Sequence, residues 1–169
     1  MTTFDAKCRC GAVCLRIAGK PVAQLYCHCD DCQAAHGAAY VSSAIYPAVA
    51  VEVMWGKPAP MVVKATGRMR CEDCGAYLFS EIASVGLRSV NAYLLPKGAF
   101  HPQFHVQCQH AVLPVVDNLP HYKAFPAAFG GVEEFVAGCA DGAADYRCFF
   151  LMHDMRKVGV VYGENLRAI

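Results

Sequence analysis

No apolar run in this chain approaches the roughly 20 residues that a membrane-crossing helix needs, although hydrophobic residues make up 56% of it. Surplus charge is also missing. Fifteen Lys+Arg stand against 14 Asp+Glu, which excludes the basic balance expected of a nucleic-acid or membrane-surface binder. The opening MTTFDAKCRC has no apolar h-region. That predicts a protein that is not secreted and works in a reducing cytoplasm, where disulfides are rare. There is no internal repeat and no low-complexity segment. A chain of 169 residues buries about 70% of its unfolded surface on folding, so a core can form without disulfide staples.

Against these absences stand 11 cysteines. Seven of them fall into tight motifs: Cys8-x-Cys10, Cys27-x-Cys29-x-x-Cys32 and Cys71-x-x-Cys74. Thiols on short turns suit chelation better than bridges to distant partners. Cys8, Cys10, Cys71 and Cys74 supply four thiolates, a closed tetrahedral set of the structural kind; four sulfurs select zinc or iron, with zinc first and an iron–sulfur cluster the lesser option. Such a site would contribute folding energy on the order of 10 kcal/mol.

Cys27, Cys29 and Cys32, within CHCDDC, are one ligand short. Three protein ligands with an exchangeable fourth position are the pattern of a catalytic zinc. A second structural site closed by Cys108 or a histidine is the other reading. His28 lies between two residues that share a strand face, so it should point away from the metal. His36, four residues beyond Cys32, shares its helical face and lies within reach. Arg68 and Arg70 could hold an anion, but a solvated pair is their ordinary state. His105, on an apolar strand, should face inward. Cys14 should pack in the first strand, and Cys108, Cys139 and Cys148 stand alone as buried small apolar residues or isolated thiols.

The pattern of short apolar runs punctuated by Gly and Pro predicts a mostly β domain. Strands are expected over 12–18, 22–26, 38–46, 49–55, 61–66, 76–82, 88–95 and 103–108. A short helix is expected over 30–37, capped by an Asp and ended by Gly37. GKPAP (56–60) reads as a turn, and Gly75 supplies backbone room in the CEDCG knuckle. The character changes near residue 126. Residues 1–126 form the expected zinc domain. Residues 127–169 form an extension, with a helix near 131–137 and strands near 146–152 and 157–162.

CRCGAVCL, CHCDDCQAAHGAAY and GRMRCEDCGAYLFSE, in this order, resemble the glutathione-dependent formaldehyde-activating enzymes, a family that includes centromere protein V. FHPQFHV and DNLPHYKAFP resemble the family's ending, so the likeness covers roughly residues 5–126. NAYLLPKG departs from the family's G-x-L-D-D stretch. The resemblance implies a β-tent-like zinc-binding fold of twisted antiparallel sheets with one short helix after CHCDDC. It implies two zinc ions per chain: a structural one on Cys8, Cys10, Cys71 and Cys74, and a catalytic one on Cys27, Cys29 and Cys32. It also implies a carbon–sulfur lyase that forms S-hydroxymethylglutathione from glutathione and formaldehyde. A thiol and an aldehyde are then the partners, a homodimer being compatible. The rival expectation is a zinc-stabilised scaffold module without turnover.

Overall fold

The computed structural model describes residues 2–64 and 66–126. Its strands, in chain order, are β1 (Thr3–Lys7), β2 (Cys14–Ala18), β3 (Ala23–Cys27), β4 (Val41–Pro47), β5 (Val51–Trp55), β6 (Pro58–Val63), β7 (Thr66–Cys71), β8 (Tyr77–Ile82), β9 (Leu87–Asn91) and β10 (Phe104–Val106). One α-helix, α1 (Asp30–His36), follows β3 among the described residues. The expected mostly β architecture is therefore present. The helix and strands read within 127–169, with Cys139 and Cys148, lie outside the described residues.

Two sheets form. β1, β2 and β5 make an antiparallel sheet in that order, and the larger sheet runs β10-β3-β4-β9-β8-β7-β6. Alternation decides which residues lie between them. In β2, Leu15 and Ile17 are fully buried while Arg16 points outward to Asp5, with Nε 2.9 Å from Oδ1. In β4, Ala44 and Tyr46 enter the core shared with Leu15, Ile17 and Val51, while Ile45 faces the other way, into a second cluster with Leu25, Cys27 and Phe104. The large sheet thus has a core on each face.

Several expected boundaries move. TFDAK carries only Phe4 and Ala6 as apolar alternation, too little to signal the strand that it forms against β2. GKPAP is not all turn: Pro58 already pairs with Cys71, and its missing N–H is tolerated because β6 is an edge strand. Thr66–Cys71 is a strand of its own rather than the end of an earlier one. RSVNAYLL stops being a strand at Asn91, whose side chain accepts a hydrogen bond from the Tyr93 N–H and starts a 3-10 turn. The antiparallel expectation fails at one pair, since β10 lies parallel to β3. A long connection brings the chain back in the same direction, as parallel pairing requires.

Gly56 ties the sheets to the first cysteine loop. Its φ is +84°, and a Cβ there would lie 2.1 Å from the Ala12 carbonyl oxygen. Gly11 has a similar φ of +80° but open space around it. Gly56→Ala should therefore cost more than Gly11→Ala, by about 1–3 kcal/mol beyond the backbone penalty that both share. Thermal unfolding of the two variants checks this, and equal losses would contradict it.

Candidate metal centre

The first group of thiols joins the two sheets. Cys8 follows β1 and Cys10 sits two residues on, in a turn. Cys71 ends β7, and Cys74 lies in the turn before β8. The four sulfurs lie within 4.8 Å of one another. Cys8 Sγ is 3.5 Å from Cys10 Sγ, and Cys10 Sγ is 3.6 Å from Cys71 Sγ. The Val13 N–H donates to Cys8 Sγ at 3.2 Å. Backbone N–H donors from Ala76 and Cys10 lower the Cys74 thiol to about 6. A closed set of four sulfurs with N–H donors turned onto them fits a thiolate-bound metal. Gly75 takes φ +68°, the left-handed room expected of the knuckle.

The second group forms where β3 gives way to α1. Cys27 is the last residue of β3. Cys29 is the N-cap of α1, and Cys32 lies in its first turn. The expected Asp cap is thus replaced by a cysteine: the Cys32 N–H donates to Cys29 Sγ at 3.3 Å. Gly37, at φ +61°, ends the helix as expected. The three sulfurs lie within 4.8 Å, and no fourth ligand joins them among the described residues. Hydrogen bonds from the Cys27 and Cys32 thiols hold Cys29 as a thiolate, its pKa down to about 2. Its bond to Cys29, then that to Cys32 and burial, push Cys27 well above the ordinary thiol value. Cys32 has a lowering bond to Cys27, yet Cys29 and burial take it up to about 11. A metal ion is the usual means of ionising all three. No disulfide occupies either group, whose seven cysteines are free thiols.

The trio lies in a cleft of about 740 Å³ on the face of the large sheet turned away from the small one. Leu25, Ile45 and Ile82 give it an apolar floor. Asp31, Lys64 and Arg68 line one side. Lys64 Nζ is 3.0 Å from Asp31 Oδ1, and Arg68 Nη2 is 4.0 Å from Oδ2. Arg68 is not the solvated residue expected. It is 3% exposed, its Nη1 donates to the Val63 and Thr66 carbonyls, and its Nε is buried without a partner. Arg70, two residues on in an edge hairpin, is exposed.

His36 is not among the trio's grouped ligands. It stacks on Tyr77 with ring centroids 3.9 Å apart, and burial, aided by the Arg68 charge, lowers its pKa to about 4. It is thus a neutral imidazole at pH 7. Cys108 does not join the trio either. His28 turns to the opposite face, as its place between Cys27 and Cys29 predicts, and is 2% exposed. There His28 Nε2 meets His105 Nδ1 at 2.9 Å, and His105 is fully buried.

A mostly β domain with two clusters of cysteines able to hold metal is the class of protein defined by this fold and site. The chain belongs to the glutathione-dependent formaldehyde-activating enzyme family, whose model matches residues 3–111. No curated protein matches the chain. A solved structure, described as the crystal structure of a Rhodobacter sphaeroides protein, is similar at 19% identity and a TM-score of 0.48, covering 56% of this chain and 89% of that one. No helix among the described residues is long and apolar enough to cross a membrane.

Proposed function

We propose that this chain joins a small anionic thiol, glutathione or a close analogue, to formaldehyde in the cleft over Cys27, Cys29 and Cys32. In the reverse sense it is a carbon–sulfur lyase. The observation that carries this reading is the three-sulfur group without a described fourth ligand, set in a cleft of about 740 Å³. That volume suits a tripeptide-sized ligand. Cys8, Cys10, Cys71 and Cys74 are assigned to a structural zinc and the trio to a catalytic one. The catalytic unit is residues 1–126, with 127–169 an extension, and the working compartment is the cytoplasm.

A zinc ion on the trio would lower the pKa of an incoming thiol and polarise an aldehyde oxygen. Three thiolate donors blunt the second effect, so thiol activation is the larger contribution. The protein's own side chains orient the substrate. Lys64 and Arg68 put two positive groups beside the trio, each within 4.0 Å of an Asp31 oxygen, with Asp30 and Glu81 also lining the cleft. The carboxylates of glutathione match the two positive groups in charge. Leu25, Ile45 and Ile82 give the reacting atoms an apolar floor. In the reaction the thiol loses its proton and sulfur bonds to the aldehyde carbon. The carbonyl π pair moves to oxygen, which takes up a proton, so atoms and charge balance. The neutral charge balance of the chain favours this small-molecule role over nucleic acid.

Exchange NMR of a glutathione and formaldehyde mixture tests this. The protein should speed interconversion of free formaldehyde and the hydroxymethyl thioether well above the spontaneous rate. No acceleration at any protein concentration would refute the enzyme reading and leave a zinc-stabilised scaffold.

A further inference from the structure

The face of β3 and β10 turned away from the cleft carries another constellation. Alternation along β10 sends Phe104 and Val106 into the core beneath the cleft and His105 to the other side. An isolated parallel bridge sets His121 beside His105. The His105 N–H donates to the Pro120 carbonyl at 2.8 Å, and the Tyr122 N–H donates to the His105 carbonyl at 2.9 Å. Asp117 is fixed by the Leu119 N–H, which donates to its Oδ1 at 2.9 Å. Asp117 Oδ2 then lies 2.9 Å from His105 Nε2, and Oδ1 lies 3.1 Å from His121 Nε2. One ligand atom from each residue falls within 4.8 Å of the others.

We propose that His105, Asp117 and His121 form a third metal site, free of sulfur, which takes a first-row divalent cation such as zinc or iron(II). Two imidazoles and one carboxylate are the donor set those ions favour. Ligands about 2.0–2.2 Å from a common ion stand about 3–3.5 Å apart. The two histidine-to-carboxylate separations, to different Asp117 oxygens, are 2.9 and 3.1 Å, and one ligand atom from each of the three lies within 4.8 Å of the others. His28 supplies the outer support. Its Nε2, 2.9 Å from His105 Nδ1, can accept the ring N–H that a metal-bound histidine has left over. Tyr26 covers the His105 ring with centroids 4.9 Å apart, and Tyr40 covers His28 at 5.0 Å. The site is therefore held rigidly on one side. On the other, the Asp117 side chain is 33% exposed, which gives an ion a way in and leaves positions for water or ligand. The alternative is a hydrogen-bonded His–Asp–His network that needs no ion.

Full-length protein produced with cobalt(II) separates the two. Cobalt on thiolates gives intense sulfur-to-metal charge-transfer absorption, whereas cobalt on imidazole and carboxylate gives only weak ligand-field bands. The expected result is one cobalt per chain more than the charge-transfer intensity accounts for. Asp117→Asn and His121→Gln should each lose that equivalent with the charge-transfer spectrum unchanged. Wild-type protein whose cobalt is wholly accounted for by charge-transfer absorption would overturn the proposal, whether or not the variants fold. So would variants that fold and keep the extra equivalent. This outcome is independent of turnover in the cleft.

Discussion

Cys71→Ser is expected to unfold the domain. Cys71 is 1% exposed, sits in the main core cluster and closes the four-sulfur group that joins the loop after β1 to the end of β7. A structural zinc on four thiolates contributes apparent folding energy of about 10 kcal/mol, comparable with the whole stability of an ordinary domain, about 5–15 kcal/mol. Losing one ligand, and leaving a hydroxyl among apolar neighbours and three thiols, should remove more than about 5 kcal/mol. The far-UV spectrum and melting transition of the variant should be those of an unfolded or aggregated chain at temperatures where wild type is folded. A strong chelator should produce the same change in wild type. A folded variant melting like wild type would mean that Cys8, Cys10, Cys71 and Cys74 are packing residues and hold no structural ion.

Cys32→Ser should behave in the opposite way, keeping the fold and losing the chemistry. Cys32 packs only at the margin of the second cluster, on the first turn of a seven-residue helix with no buried residue. Its removal breaks the trio without touching the joint between the sheets. Glutathione-dependent turnover should fall more than about 100-fold, since loss even of an outer-shell partner costs 10–100-fold at metal sites. The melting temperature should stay within a few degrees. Retained turnover would move the chemistry away from the trio. A collapsed fold would make the trio a second structural site.

What could be read in the sequence follows the range of the interactions involved. The two thiol groups were legible because each ligand pair is set by a turn of two to four residues, and short spacings survive any arrangement of the rest. The opposite facing of His28 was legible for the same reason, since alternation is local. The N-cap role of Cys29 was not, because Asp30 and Asp31 are the commoner caps and only the placement of Cys27 and Cys32 selects the sulfur. Arg68 reads as a solvated charge, yet the hairpin of β6 and β7 folds its guanidinium back onto the Val63 and Thr66 carbonyls. The inward facing of His105 was legible from its apolar strand, but its grouping with Asp117 and His121 was not. Their convergence depends on a bridge between segments that no periodicity announces, although His105 flanked by Phe104 and Val106 was the available clue. The parallel entry of β10 beside β3, which sets both the cleft floor and the histidine face, is likewise a long-range choice.

The proposed chemistry of the cleft requires that the trio hold a metal of its own. Metal analysis of reduced, full-length wild type beside Cys32→Ser tests that most directly. The prediction is one zinc per chain fewer in the variant, with the secondary-structure spectrum unchanged. Equal zinc in the two proteins would contradict it: CHCDDC would then be a turn with spare thiols, and the cleft would have no reaction centre.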